Sequence, residues 1–197
     1  MNKAAIQEKR RARRRQQKLT SSLKWGGISI AAIAALAFMV WNGIRPSYGE
    51  SVPIMPDAGN HVAIGTDPGP FNSNPPTSGR HYGQSLEAGF YFEDSPEVLY
   101  DYPDGYLLHN LEHGYVILWY NCTLLDAPSC EQLKGQISTI MDDFNGIKLI
   151  AFPDQTIESP LVMTSWGQIQ EFDSFDEKLV DRFIRNNRNR SPEPNAP

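Results

Sequence analysis

His109-Asn-Leu-Glu-His113-Gly114-Tyr115-Val-Ile-Leu-Trp-Tyr120 joins a pair of histidines to an unbroken apolar run. From Tyr115 to Tyr120 the residues are aliphatic, β-branched or aromatic, which is the pattern of a central strand buried on both faces. Working outward, Ala88 to Phe92 and Tyr106 to His109 read as shorter strands, the second following the turn Tyr102-Pro-Asp-Gly105. Beyond the central strand, Ser129 and Gln132 have the spacing of a capping box. Leu133, Ile137, Ile140, Met141 and Phe144 then recur at helical spacing until Asn145-Gly146. Lys148 to Phe152 and Leu161 to Ser165 supply two further strands. A second helix opens at Ser174-Phe-Asp-Glu177, with Leu179, Val180, Phe183 and Ile184 as its apolar stripe. These elements predict an α+β domain in two layers, a mixed sheet and two helices around one core, with thioredoxin-like and ferredoxin-like arrangements as alternatives.

The amino terminus has a different composition. Residues 1–24 carry nine Lys or Arg against one acid, Glu8, and residues 25–44 contain no charge. A run of this length matches the ~20 residues that cross a bilayer as a helix, with Trp25 and Trp41 at its ends and the basic flank on the cytoplasmic side. A signal peptide cleaved near Ala35-Leu-Ala37 is the competing reading, but Phe38-Met-Val-Trp41 continues the apolar segment past that point. The organisation expected is a basic cytoplasmic tail (1–24), a transmembrane helix (25–44), a Pro- and Gly-containing linker (45–60), an extracytoplasmic domain (61–188) and a disordered tail (189–197). In this scheme the protein is a single-pass protein of the cell membrane.

The remaining residues, 25–197, hold nine basic and 22 acidic side chains, a net charge of about −13. So acidic a domain is a poor partner for nucleic acid, whose affinity for proteins comes largely from cations placed on phosphates. Cys122 and Cys130 are the only cysteines. With a turn at Asp126-Ala-Pro128 they can bridge, and a structural disulfide is the leading reading over a redox pair or metal ligation. Seven intervening residues are not the CxxC spacing of redox proteins and zinc ribbons.

Chemistry is expected at His109 and His113. An ion needs imidazole nitrogens at about 2.0–2.1 Å, so the segment between them has to turn, since on a straight strand they would stand about 13 Å apart. His109, Glu112 and His113 match the H-x-x-E-H signature of inverted zinc peptidases, which requires a helix. With Pro103 and Gly105 just before and the strand just after, the sequence favours a tight connection at Asn110-Leu-Glu112 instead. His81, in the turn-rich stretch Asn72-Ser-Asn-Pro-Pro-Thr-Ser-Gly-Arg-His-Tyr-Gly83, and His61 are the natural further ligands, with Glu112 ligating or orienting an imidazole. Such a donor set suits copper or zinc, and Met163 would add a thioether for copper(I), although gap-filling in the core is the commoner use of methionine. The alternative is a structural histidine network that only shapes the loop.

The same stretches, with Leu161-Val-Met-Thr-Ser-Trp-Gly167 and Phe172-Asp-Ser-Phe-Asp176, resemble the bacterial family DUF3105 in order over about residues 60–194. The resemblance implies a membrane-attached extracytoplasmic domain without an assigned activity and points to His81, His109, Glu112 and His113 as signature residues. The function expected is transition-metal binding through His81, His109 and His113 with His61 or Glu112 assisting, rather than catalysis. The rival readings are an envelope interaction domain with an unknown protein partner and a thiol-disulfide protein.

Overall fold

A computed structural model describes residues 24–37, 40 and 46–196. The chain divides after Pro46, and each part is taken by itself. In the first, helix α1 occupies residues 24–37, with residue 40 also helical. Among the described residues no helix is long and apolar enough to cross a membrane. The expected transmembrane helix, and the membrane partner, single-pass topology and localisation that followed from it, are thereby corrected. Most of the expected basic tail, residues 1–23, lies outside the described residues.

The second part, Ser47–Pro197, begins with β1 (Glu50–Ser51), β2 (His61–Val62), β3 (His81–Tyr82) and β4 (Gly89–Phe90). Helix α2 (Pro103–Glu112) then leads into β5 (Val116–Tyr120). The chain continues through α3 (Ala127–Asp143), β6 (Leu149–Pro153), β7 (Leu161–Ser165), β8 (Gln168–Phe172) and α4 (Glu177–Asn187). Six strands form one mixed sheet in the order β1-β8-β7-β5-β6-β4. β6 runs parallel to β5 and β4, whereas β7 pairs antiparallel with β5 and β8. β2 and β3 make a separate parallel pair.

All five residues of β5 are buried, and their alternation assigns them to two cores. Val116, Leu118 and Tyr120 face a cluster with Leu133, Ile137 and Ile140 of α3 and Val180, Phe183 and Ile184 of α4. Ile117 and Trp119 face Leu107, Leu108 and Leu111 of α2, with Ile150 and Phe152 beside them. The sheet is therefore covered on both faces, and the two-layer expectation becomes three layers. The ferredoxin-like alternative fails because it needs a strand after the second helix of its repeat, and among the described residues α4 is the last element.

Helix α2 replaces the expected strand at Tyr106 to His109. Pro103 sits at its start, where a missing N–H costs nothing, and Asp104 lies in its first turn. Gly105 is a poor helix former, by about 1 kcal/mol, but burial of Leu107, Leu108 and Leu111 offsets this at roughly 1.5–3 kcal/mol each. The helix ends at Gly114, whose φ of +85° suits a residue without Cβ.

The other two helices begin where aspartates accept hydrogen bonds. Asp126 accepts from the Ser129 N–H and Asp176 from the Leu179 N–H, so neither Ser129 nor Ser174 is the cap expected. A carboxylate adds charge at the positive helix end, which serine cannot. The expected linker contributes β1, and its Tyr48 N–H donates to Asn187 Oδ1. The carboxy-terminal tail is also engaged rather than loose: the Asn189 and Glu193 N–H groups donate to the carbonyls of Gly114 and Glu112.

Candidate metal centre

Parallel pairing of β2 with β3 sets His61 directly beside His81. The stretch before β3 is held by Asn72, whose Oδ1 accepts from the Thr77 and Ser78 N–H groups, while Ser78 Oγ accepts from the Met55 N–H. Thr77, Ser78 and His81 are wholly buried. This explains the density of turn residues there, which lock one backbone path rather than form a mobile loop. α2 packs against β3 because Gly105 lets the Tyr82 ring lie on the helix: a Cβ at Gly105 would stand 2.5 Å from that ring.

His109 and Glu112, three residues apart, share the helix face turned toward His81 and His61. His61, His81, His109 and Glu112 each offer one ligand atom, all within 4.8 Å of one another. Around the single oxygen Glu112 Oε2 stand His81 Nε2 at 2.9 Å, His61 Nε2 at 3.5 Å and His109 Nδ1 at 3.7 Å. The His81, His109 and Glu112 side chains are nearly inaccessible, whereas the His61 side chain is 50% exposed and forms the mouth of the cluster. Trp166 meets the His81 ring edge-on from the turn after β7.

The hydrogen bonds define what this cluster offers. His81 Nδ1 lies 3.0 Å from the Gly79 carbonyl, which only accepts, so this nitrogen carries the hydrogen. That leaves Nε2 turned toward Glu112 Oε2 at 2.9 Å, so a nitrogen and a carboxylate oxygen are placed to share one cation. His109 Nδ1 is buried without a hydrogen-bond partner. Burial, reinforced by the surrounding imidazoles, lowers the His109 pKa to about 4, so the ring is neutral at pH 7 and its lone pair is available. A histidine and glutamate cluster of this composition can chelate a metal ion.

His113 is placed elsewhere. It caps α2, and its Nε2 lies 3.7 Å from Glu193 Oε2 in the tail. The helix demanded by the H-x-x-E-H signature is thus present, correcting the expected tight connection, but the group on its inner side is His109 with Glu112, not His109 with His113. Met163 is buried in the core on the far side of the sheet and adds no thioether. Cys122 and Cys130 are bridged to each other, with Cα atoms 5.3 Å apart, and Cys122 packs against that same far core. Glu193 and Trp166 escaped sequence reasoning. The first lies in a short polar tail without periodicity, and the second approaches His81 only through the turn that follows β7.

Fold and site together define an α+β domain with a buried histidine and carboxylate cluster at the seam between α2 and a small parallel strand pair. The chain belongs to the family described as "Protein of unknown function (DUF3105)", whose model matches residues 65–197. No curated protein and no solved structure matches it.

Proposed function

We propose that this protein binds a divalent transition metal, zinc or copper(II), through His61, His81, His109 and Glu112. One observation carries the reading: three imidazole nitrogens converge on one carboxylate oxygen, and one of them, His109 Nδ1, is buried without a partner. Ligands at 2.0–2.2 Å from a tetrahedral ion are separated by about 3.3–3.6 Å. The contacts to Glu112 Oε2, 2.9 to 3.7 Å, bracket that edge length. The remaining separations among the four ligand atoms are at most 4.8 Å.

The donor set narrows the metal. Imidazole with carboxylate and no sulfur favours zinc or copper(II) over copper(I), which prefers thiolate and thioether. Four protein donors close a tetrahedron, the arrangement of a site that holds its ion, and exposed His61 gives the ion its way in and out. Metal analysis of the purified full chain tests this: at least one equivalent is expected in the parent, with loss of one equivalent in His81→Ala and His109→Ala. A well-folded parent that takes up no zinc or copper at stoichiometric levels overturns the reading.

A further inference from the structure

We infer a second metal site beside the first, formed by His113, Glu193 and Glu112, with the Glu112 carboxylate bridging the two ions. The inference rests on the proposed metal binding at His61, His81 and His109. Glu112, His113 and Glu193 also present ligand atoms that all lie within 4.8 Å of one another. Glu112 is common to both groups, and the His109 and His113 rings are 4.2 Å apart between centroids, so the two donor sets adjoin. A carboxylate has two oxygens and can ligate through each, which is how acidic residues join paired metals.

Glu193 reaches this position because the tail is seated on the end of α2. The Glu193 N–H donates to the Glu112 carbonyl and the Asn189 N–H to the Gly114 carbonyl. The Lys148 ammonium gathers the carbonyls of His113, Pro194 and Ala196 and so ties the helix end to the tail. Glycine at 114 permits the approach, since a Cβ there would lie 2.7 Å from Asn189 Cα. With its ammonium on carbonyls, Lys148 makes no ion pair with Glu112 or Glu193 among the described residues. Two carboxylates and an imidazole thus share a small volume, and a divalent cation balances them.

The two sites differ in kind. The first has four protein donors and one exposed ligand; the second has three donors, one of them the Glu193 side chain at 60% exposure. Three donors, two buried and Glu193 on the solvent side, leave coordination positions for water or an oxygen-bearing small ligand, as open metal sites do. The tail completes this second site, so it acts as a ligand arm.

Loading the full chain with copper(II) and recording metal content and electron paramagnetic resonance separates the possibilities. The parent is expected to hold two equivalents with a signal weakened by coupling between close ions, and Glu193→Gln and His113→Gln to hold one equivalent with a full-intensity signal. The Glu193 N–H bond to the Glu112 carbonyl is untouched by Glu193→Gln, so the tail keeps its seat in that variant. One equivalent in the parent and in Glu193→Gln alike overturns the second site and leaves the first standing. Two equivalents without coupling, or two retained in Glu193→Gln, overturn the shared-carboxylate arrangement. No copper in the parent removes both sites.

Discussion

Gly105 is the residue on which the site geometry turns. In an exposed helix, alanine in place of glycine stabilises by about 1 kcal/mol. Here all three nearest atoms to an added Cβ belong to the Tyr82 ring, at 2.5–2.8 Å, and Tyr82 is 1% exposed with nowhere to swing. Gly105→Ala is therefore expected to destabilise by about 2–3 kcal/mol, the cost of overpacking, and to weaken metal uptake by displacing adjacent His81. Urea unfolding reads the sign directly. Asp104, one position earlier, is pushed up to about 7, first by burial and then by nearby Asp154. A folded-state pKa above the unfolded value means stability that is full below about pH 4 and declines as pH rises through about 7. Asp104→Asn should equal the parent near pH 4 and exceed it at pH 8 by on the order of 2 kcal/mol. Urea midpoints of both proteins at the two pH values check this, and a difference between Asp104→Asn and the parent that is the same at pH 4 and pH 8 contradicts it.

Among the elements, β5 was legible because six consecutive apolar residues admit few other readings, and the helical stripes of α3 and α4 were equally plain. α2 was not. Its opening Pro103-Asp-Gly105 is written in turn residues, and only contact with Tyr82, far off in sequence, explains a glycine in its first turn. A strand buried on both faces requires cover on both sides, so β5 itself calls for three layers rather than two. The start of α3 makes its own prediction. The Cys122–Cys130 bridge closes a loop with a sequence separation of 8 and lies on the sheet face away from the histidines. Loop-entropy arithmetic gives about 2–3 kcal/mol for so short a loop. The Cys122→Ser, Cys130→Ser double variant is expected to lose that much stability while its metal content stays at the parent level. A drop in metal content would place the bridge in the site's support.

At the scale of the whole molecule, the proposed ligands come from β2, β3 and α2, segments brought together only in the folded state. An ion held there stabilises the fold by about 2.7 kcal/mol at a hundredfold excess over Kd. For a domain of about 150 residues this amounts to roughly 5–10 °C in Tm. Chelation should lower the Tm of the parent by about that amount more than it lowers the Tm of His81→Ala, as scanning calorimetry would show. The sequence named all four residues of the first cluster but assigned His113 to it as well, because residues four apart share a helix face or a turn shoulder equally well. What separates them is Glu193, which the fold returns to the end of α2 from the tail. Which imidazoles meet one ion is thus a tertiary property.

X-ray absorption at the zinc edge of the zinc-loaded full chain tests the central claim most directly. A nitrogen and oxygen shell at about 2.0–2.1 Å with outer-shell scattering from imidazole rings is expected, abolished in His81→Ala. A sulfur shell near 2.3 Å, or a zinc environment without imidazole scattering, would contradict it.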